Sequence, residues 1–296
     1  MKTTAKPFVK WAGGKSQILA DIRAKFPNNF GSDIRKYAEP FVGGGAVLFD
    51  ILNNDSLDHA YISDINRELI HTYLTIRDNV DELIASLSAL ETLYLPSNTE
   101  QRKKLYYTKR DRFNELKLSN DSSAELAALF IFINRTCFNG LYRVNARGEY
   151  NVPQGGYKMP LICDSHNLRA VSVKLQGVTI KCADYRDSDE YIDNKSLVYF
   201  DPPYRPLTAT ASFTAYTQGG FNDDDQMELA KFIDKLSERG ACVIASNSDP
   251  KNADENDDFF DMLYSKHRVD RIYASRAINS IGAGRGRVSE LLIANR

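Results

Sequence analysis

Residues 197–204 read Leu197-Val198-Tyr199-Phe200-Asp201-Pro202-Pro203-Tyr204, an apolar run followed by an acid, two prolines and an aromatic ring. The apolar half is typical of a buried β-strand, and two consecutive prolines prevent both a helix and further sheet pairing. In open α/β sheets, ligands bind in the crevice beyond the carboxyl ends of the strands. The stretch therefore indicates either a site that receives a planar group bearing an amine, or an ordinary strand end with a proline turn.

The composition is typical of a soluble globular protein in a reducing compartment. The chain has 296 residues, enough for two domains, with 43% hydrophobic and 26% charged residues. No signal peptide and no run of membrane-spanning length is recognisable, so we expect a cytoplasmic protein. The dispersed cysteines and histidines, without a Cys-x-x-Cys pair, argue for reduced thiols and against a metal site. They are Cys137, Cys163, Cys182, Cys242, His59, His71, His166 and His267.

The net charge of −1 does not indicate a nucleic-acid partner, but the basic residues are segregated. One cluster comprises Arg102, Lys103, Lys104, Lys109, Arg110 and Arg112, and a second comprises His267, Arg268, Arg271, Arg276, Arg285 and Arg287. Acidic residues concentrate at 223–225 and 253–261. Such clusters are compatible with phosphate contacts and equally with solvated surfaces.

Residues 7–15 end in Gly13-Gly14-Lys15, and Ser16 begins a helical pattern over 16–26. This is not a P-loop, because Val9 stands where that motif requires its first glycine. Helix amides with Lys15 and Trp11 beside them suit a carboxylate or another anion. The alternative is a plain loop-to-helix junction in which Trp11 fills the core.

Residues 37–50 read as a strand end, the turn Gly43-Gly44-Gly45 and the start of an apolar helix. Glycines let a backbone approach a ligand closely, but Leu48 replaces the third glycine of the dinucleotide fingerprint, which disfavours NAD. Asp64, at the end of the next predicted strand, is placed to accept hydrogen bonds from ribose hydroxyls or, alternatively, to cap the helix over 66–77. Together these features favour an adenosine-type cofactor without a diphosphate.

Four helices are predicted between the strand regions, over 66–77, 80–90, 99–118 and 122–134. They interrupt the strand–helix alternation and indicate an inserted helical domain. Residues 138–153 then predict a β-hairpin that turns near Arg147-Gly148 and mixes aromatic, Asn and Arg side chains. Those residue types wedge into base stacks and read base edges, although a surface hairpin covering the helices would have the same pattern.

Strand–helix alternation resumes after the hairpin. Strands are predicted at 178–182, 241–246, 268–273 and 288–294, and helices at 223–239 and within 251–264. Residues 208–222 predict a mobile loop over the site, and residues 279–286 predict a polar, glycine-rich loop.

These stretches, in this order, resemble the Dam-type DNA adenine-N6 methyltransferases of the D12 class, which are alpha-group amino-methyltransferases. The matching pieces are residues 8–15, 39–45, Asp64, the hairpin 138–153 and residues 201–204, and the resemblance covers nearly the whole chain. It implies an α/β fold: a Rossmann-like S-adenosylmethionine-dependent methyltransferase sheet with an inserted helical target-recognition domain that carries the β-hairpin. The implied division is a catalytic, cofactor-binding domain of residues 1–66 and 164–296 and a target-recognition domain of residues 67–163.

The resemblance implies transfer of a methyl group from S-adenosylmethionine to the 6-amino group of an adenine flipped out of duplex DNA, with GATC as the expected sequence. The implied catalytic residues are Asp201, Pro202 and Tyr204. The implied methyl-donor contacts, without a metal, are Trp11, Lys15, Gly43, Gly45, Asp64, Asp184 and Asp201. The implied DNA contacts are Lys10, Phe138, Asn139, Leu141, Arg143 and Pro153.

One stretch departs from the pattern of this family. Relatives often carry a basic residue in Phe-Gly-Arg where this chain has Gln154-Gly155-Gly156, so a phosphate or base contact is expected to be missing. The resemblance further implies a monomer in the cytoplasm of a bacterial or phage-infected cell, associated with the nucleoid. It leaves open whether the enzyme accompanies a restriction nuclease or marks DNA for replication and repair.

Three other functions compete with this hypothesis. A methyltransferase acting on a cytosine amine or on RNA would keep the fold and cofactor, but the hairpin disfavours it. A non-catalytic DNA-binding regulator need not preserve residues 201–204 and the glycine turn. A nuclease is disfavoured because the sequence has no compact acidic metal-binding cluster.

Overall fold

The computed structural model describes residues 4–205, 221–275 and 287–296. Seven strands lie in these ranges: β1 Lys36–Glu39, β2 His59–Asp64, β3 Val178–Cys182, β4 Ser196–Phe200, β5 Cys242–Ser248, β6 Arg268–Ser275 and β7 Arg287–Ala294. The α-helices described are α1 Leu19–Arg23, α2 Ala46–Asn54, α3 Arg67–Asp78, α4 Val80–Tyr94, α5 Thr99–Leu118, α6 Ala124–Thr136, α7 Ser165–Leu175, α8 Asp223–Glu238 and α9 Phe259–Leu263. Most of the predicted loop 208–222, the loop 279–286, Arg276 and Arg285 lie outside the described residues.

The strands form one sheet in the order β3-β2-β1-β4-β5-β7-β6. Strand β1 runs parallel to β2 and β4, and β4 runs parallel to β5, whereas β7 is antiparallel to both β5 and β6. The order reverses between β1 and β4, which is where open α/β sheets bind their ligands. The predicted Rossmann-like methyltransferase sheet is confirmed.

The chain divides into two compact units. The first, here called the helical unit, comprises Met1–Gly14, Gly43–Asn54 and Asp64–Ala183. The second, here called the sheet unit, comprises Lys15–Val42, Asp55–Ser63 and Asp184–Arg296. None of the helices within the described ranges combines the length and apolarity needed to cross a membrane.

The centre of the helical unit is α6, which is buried from Leu126 to Asn134. A helix that is apolar on all sides requires neighbours on all sides, and α3, α4 and α5 each pack against it. The N-termini of α3, α5 and α6 are capped by the side chains of Asn66, Asn98 and Ser123. The four predicted helices are confirmed, whereas α7 has no counterpart among the predicted elements.

The segment 138–153 folds back on itself without forming regular strands. Its two antiparallel bridges, Cys137↔Gln154 and Val144↔Tyr150, are isolated. Asn139 has a left-handed backbone with φ 56°, which interrupts an extended conformation early in the segment. The predicted hairpin is therefore present as an irregular one.

The sheet unit differs from prediction in one short helix. The single helix predicted over 16–26 is a 3₁₀ turn at Lys15–Gln17 followed by α1, and Pro27 stands shortly after the end of α1. The helix predicted within 251–264 is confirmed as α9, which a 3₁₀ turn at Pro250–Asn252 precedes. Helix α8 also agrees with its predicted range, and its carboxyl end is followed by Gly240 at φ 89°.

Candidate active site

Asp201 follows directly after β4, whose five residues are all buried. The Lys15 Nζ lies 2.7 Å from Asp201 Oδ1, with side-chain exposures of 4% for Lys15 and 22% for Asp201. The Ser246 hydroxyl, at the end of β5, donates to the same oxygen at 2.9 Å. No residue in the described ranges donates a hydrogen bond to Asp201 Oδ2. Among the described residues, one carboxylate oxygen is thus fixed from two sides, and the other accepts no hydrogen bond.

The charge state of Asp201 depends on two opposing effects. Burial raises the pKa of the Asp201 carboxyl above its usual range, and the Lys15 ammonium and the Ser246 hydroxyl offset this only in part. Both partners favour the ionised carboxylate, so both help it to accept a hydrogen bond. The Tyr199 hydroxyl lies 2.9 Å from Ser246 Oγ and extends this buried chain of polar groups.

The proline turn after Asp201 is held by polar side chains from α8 and β5. Gln226 Nε2 donates to the Pro203 carbonyl at 3.1 Å, and Asn247 Nδ2 donates to Gln226 Oε1 at 3.0 Å. The Ser248 hydroxyl donates to the Arg205 carbonyl at 3.0 Å. Within the described part of the chain no hydrogen bond reaches the Pro202 carbonyl.

Sequence analysis did not identify Ser246, Asn247, Ser248 and Gln226. A usable signal was present, because three consecutive polar residues at the end of an otherwise buried strand are unusual. This pattern does not reveal the hydrogen-bond partners of these polar residues.

The ring of Tyr204 is held at its hydroxyl and contacted on one face. Its hydroxyl donates to Glu290 Oε2 of β7 at 2.8 Å, and Lys15 Nζ lies 4.7 Å from the ring centroid. Burial raises the pKa of Tyr204 well above its usual range, and the nearby carboxylates of Asp201 and Glu290 raise it further. Tyr204 is therefore a neutral hydrogen-bond donor at physiological pH.

The glycine turn lies in the helical unit and is packed against two aromatic side chains. Gly43 has φ 47°, and a Cβ there would lie 2.7 Å from Trp11 Cδ1. Gly45 has φ 73°, and a Cβ there would lie 2.5 Å from Tyr73 Oη. No other residue fits these positions without strain, so the backbone of the turn is uncovered by side chains of its own.

Asp64 ties this turn to the start of α3. Its Oδ2 accepts the Gly43 amide hydrogen at 3.1 Å, and its Oδ1 accepts that of Asn66 at 2.9 Å. The predicted alternative, that Asp64 caps the helix, is wrong, because Asn66 is the capping residue and accepts from the Leu69 amide at 2.9 Å. Burial raises the pKa of Asp64 to about 6, although both amide hydrogen bonds act to lower it.

Asp184, the remaining residue predicted to bind the methyl donor, is the N-cap of the 3₁₀ helix Tyr185–Tyr191. Arg186 Nε donates to Asp184 Oδ1 at 2.7 Å. Partial burial raises the pKa of Asp184, but the hydrogen bonds from Arg186 outweigh it, so the net shift is downward. Asp184 is therefore an ionised acceptor with a structural role of its own.

The residues predicted to contact DNA lie on the irregular hairpin, apart from Lys10. Phe138 is 52% exposed, and Asn139, Arg143 and Pro153 are also exposed, whereas Leu141 is half-buried. The Arg143 Nε donates to Asn151 Oδ1 at 2.8 Å, which orients the guanidinium.

Lys10 is joined to this hairpin by the buried side chain of Asn134. Asn134 accepts from the Lys10 amide at 2.8 Å and donates to the carbonyls of Lys10 and Gly140 at 2.9 and 3.1 Å. The Lys10 ammonium lies 4.2 Å from the centroid of the Tyr157 ring.

Residues 154–156, the stretch that departs from the pattern of the resembled family, have well-defined contacts. Gln154 Nε2 donates to the Tyr94 hydroxyl at 2.8 Å, so this side chain is directed into the helical unit. Gly156 is exposed, and a Cβ added there would meet no atom within 4 Å. The space for a longer side chain is therefore present at Gly156.

Arginines of both basic clusters form contacts within the protein. Arg102 donates to backbone carbonyls that include those of Tyr94 and Lys158. Arg112 pairs with Glu125 at 3.0 Å, and Arg271 pairs with Asp261 at 2.7 Å. Arg112 and Arg271 are thus paired with carboxylates, whereas the Arg102 guanidinium is held by carbonyl oxygens.

The chain was compared with known proteins. The sequence profile of the D12 class N6 adenine-specific DNA methyltransferases matches residues 11–279. The type II methyltransferase M.MjaIII of Methanocaldococcus jannaschii is 49% identical over 292 residues, which cover 98% of this chain and 99% of that protein.

Several relatives are named DNA adenine methylase, and two of them serve as examples. That of Vibrio cholerae is 36% identical over 288 residues, covering 97% of this chain and 95% of that protein. That of Escherichia coli is 36% identical over 287 residues, covering 97% and 94%. With matches of this extent, and with the methyltransferase strand order and the Asp-Pro-Pro-Tyr turn at its switch point, the chain belongs to the D12 class of N6 adenine-specific DNA methyltransferases.

Proposed function

We propose that this adenine-specific DNA methyltransferase acts as a monomer on adenine within GATC in duplex DNA and flips the target base out of the helix. Residues 67–163 would form the target-recognition domain, and residues 1–66 and 164–296 the catalytic domain. The observation that carries the proposal is the pair of acceptors at the proline turn. Asp201 Oδ2 and the Pro202 carbonyl take no hydrogen bond from the described residues, while the groups around them are tied down.

An adenine amino group is a poor nucleophile because its lone pair is delocalised into the ring. Asp201 Oδ2 would accept one amino hydrogen and the Pro202 carbonyl the other, which localises the lone pair on nitrogen. Since Gln226, Asn247 and Ser248 hold the turn before any base arrives, the acceptors need little reorganisation. Asp201 or water would then take the proton that leaves the methylated nitrogen.

Tyr204 would form the platform for the flipped base. Its ring is held by the Glu290 hydrogen bond, so a base can stack on it without first ordering a mobile side chain. Flipping a base costs a few kcal/mol of stacking and pairing. The exposed ring of Phe138 would offset part of this by filling the gap left in the duplex.

Methyltransferases of this family use S-adenosylmethionine. When bound, it supplies an electrophilic methyl group. The residues present suit such a ligand, because a glycine turn without side chains lies beside an aromatic ring and a buried carboxylate. The residues that would hold it are Trp11, Lys15, Gly43, Gly45, Asp64, Asp184 and Asp201.

DNA reading is assigned to the exposed face of the hairpin. Asn139, Leu141, Arg143 and Pro153 would contact base edges or the backbone, and Lys10 would contact the first base pair. The orientation of Arg143 by Asn151 supports a directed contact rather than a loose phosphate contact.

The experiment that tests the proposal compares the wild type with Asp201→Asn in a host without adenine methylation. Sequencing of N6-methyladenine should find methylation within GATC for the wild type and none for the variant. Asparagine keeps the volume of Asp201 but replaces one acceptor oxygen with a donor, so binding of a GATC duplex should persist. Substantial turnover by Asp201→Asn would refute the catalytic assignment, and methylation at another sequence would refute the GATC assignment alone.

A further inference from the structure

Tyr142 belongs to the hairpin but does not share the exposure of its neighbours. It stands between Leu141 and Arg143, yet its side chain is turned inward and is only 6% exposed. Its ring stacks on that of Trp11, with the centroids 5.9 Å apart and the planes at 27°. The hairpin therefore touches, through one side chain, a residue assigned to the methyl donor.

The hydroxyl of Tyr142 is anchored by a buried ion pair. It donates to Glu68 Oε2 at 2.7 Å, and Lys117 Nζ lies 2.7 Å from the same oxygen and 3.0 Å from Tyr142 Oη. Glu68 comes from α3 and Lys117 from α5, and their side chains are 6% and 17% exposed. Two helices thus fix the position of one ring.

Packing alone does not require this arrangement. Tyr142 also contacts the rings of Phe130 and Tyr150, at centroid distances of 5.9 and 5.7 Å, and a phenylalanine or leucine would fill that space. Burying a carboxylate and an ammonium is costly unless the two are paired and hydrogen-bonded. The Glu68–Lys117 pair holds the orientation of the Tyr142 ring, and that ring stacks on Trp11.

Trp11 in turn packs against the glycine turn. A Cβ at Gly43 would lie 2.7 Å from Trp11 Cδ1, and a Cβ at Gly44 would lie 3.0 Å from Trp11 Cβ. A continuous contact therefore runs from Arg143 of the hairpin through Tyr142 and Trp11 to Gly43. All of these residues lie within the helical unit.

We propose that Tyr142 is a positioning residue that holds Trp11 against the glycine turn and thereby couples DNA binding to methyl-donor binding. The inference rests on the proposed roles of Trp11 and of the hairpin. Coupling of this kind is reciprocal: if DNA changes the affinity for the donor, the donor changes the affinity for DNA by the same factor. The packed side chain of Tyr142 would transmit this coupling between the two sites, and a binding measurement can test it directly.

The test measures the Kd of S-adenosylhomocysteine by calorimetry, with and without a GATC duplex. This product keeps the donor's adenosine and allows no turnover. Tyr142→Leu removes the ring, Tyr142→Phe keeps the ring, and Tyr106→Leu is the matched control. Tyr106 is a fully buried tyrosine of the same unit whose hydroxyl donates to the Val152 carbonyl of the hairpin. Trp11 is the chain's only tryptophan, so its fluorescence reports the same stack.

In the wild type, addition of the GATC duplex should change the Kd of S-adenosylhomocysteine at least about threefold. Tyr142→Leu should weaken binding without DNA by roughly two- to tenfold, the range of one aromatic pair, and reduce the effect of DNA to less than about twofold. It should also increase quenching of Trp11 fluorescence by acrylamide. Tyr106→Leu should retain the coupling, and Tyr142→Phe, which keeps the ring but loses its contacts with Glu68 and Lys117, should lie between the wild type and Tyr142→Leu.

Two results would overturn the inference while leaving the proposed function intact. One is a Tyr142→Leu protein that binds and couples like the Tyr106→Leu control, and the other is a Tyr142→Phe protein that couples less than Tyr142→Leu although it keeps the ring. A wild type that shows donor binding unaffected by DNA would also refute the coupling. A wild type that binds no S-adenosylhomocysteine would instead refute the cofactor assignment, and this inference with it.

Discussion

Replacing Ser246 by alanine should shift the pH dependence of methyl transfer. The Ser246 hydroxyl donates to Asp201 Oδ1 at 2.9 Å and is fully buried. A hydrogen bond to a charged acceptor contributes about 1.5–3 kcal/mol, and a change of one in pKa corresponds to about 1.36 kcal/mol. Because the hydroxyl favours the ionised form, its loss should raise the pKa of Asp201 by roughly one to two.

The assay is transfer of a labelled methyl group to a GATC duplex, with kcat/KM measured as a function of pH. Only the ionised Asp201 accepts the amino hydrogen, so the acidic limb of the profile should move to higher pH by the same amount. In the alkaline region, the variant should approach the wild-type rate.

Two control variants separate this effect from a loss of stability. Tyr199→Phe removes the hydroxyl 2.9 Å behind Ser246 but keeps the Ser246–Asp201 hydrogen bond, so its acidic limb should move little. Ser246→Ala leaves the buried Tyr199 hydroxyl without this partner, and the double variant removes that defect. The double variant should regain stability and keep the shifted limb. An unshifted limb in folded Ser246→Ala would refute the assignment of Asp201 as the titrating acceptor.

Two further predictions concern Gly156 and Asp64. Gly156→Arg fits without strain, because nothing lies within 4 Å of a Cβ there. If the hairpin faces DNA, the new cation should steepen the plot of log K against log [salt] by about 0.9, as expected for one phosphate contact. Fluorescence anisotropy over a range of salt concentrations measures the slope, with Gly156→Gln as the uncharged control, and an unchanged slope would place residue 156 away from phosphate. The folded-state pKa of Asp64, about 6, exceeds its ordinary 3.8, so its contribution to the free energy of unfolding is fully present below about pH 4 and is lost as the pH rises through 6. Because a pKa difference of one corresponds to about 1.36 kcal/mol, the difference in free energy of unfolding between the wild type and Asp64→Asn should fall by about 3 kcal/mol between about pH 3 and about pH 8, measured by urea denaturation; a constant difference would contradict the raised pKa.

The local sequence pattern was sufficient to predict those helices and strands that are defined by consecutive residues. The predicted strand at 197–200 is β4, and the four helices between 66 and 134 are α3 to α6. Burial requires apolar residues, at a regular period where one face is buried and in a continuous run where all faces are buried. Local pattern left two roles open for Asp64, acceptor for a ligand or cap of the following helix. In the structure Asn66 is the cap, and Asp64 accepts the Gly43 amide hydrogen across the turn.

The basic clusters show a second limit of sequence reasoning. The sequence of residues 102–112 shows that they are basic but not which carboxylates they pair with. In the structure, Arg112 pairs with Glu125 of the following helix. Whether a cation is available to DNA depends on what lies beside it in the fold. Composition cannot supply that information.

The order of motifs along the chain was enough to establish the class of fold, the kind of chemistry and the identity of Asp201 and Tyr204 as candidate residues. Those features depend on residue type and local spacing, which the sequence contains directly. The partners that tune them come from far away in the chain: Ser246 is 45 residues from Asp201, and Glu68 is 74 residues from Tyr142. Local periodicity states that a side chain is buried but not which side chain it meets, so the polar support of Asp201 and the link between the hairpin and Trp11 emerged only when the sheet and helices were packed.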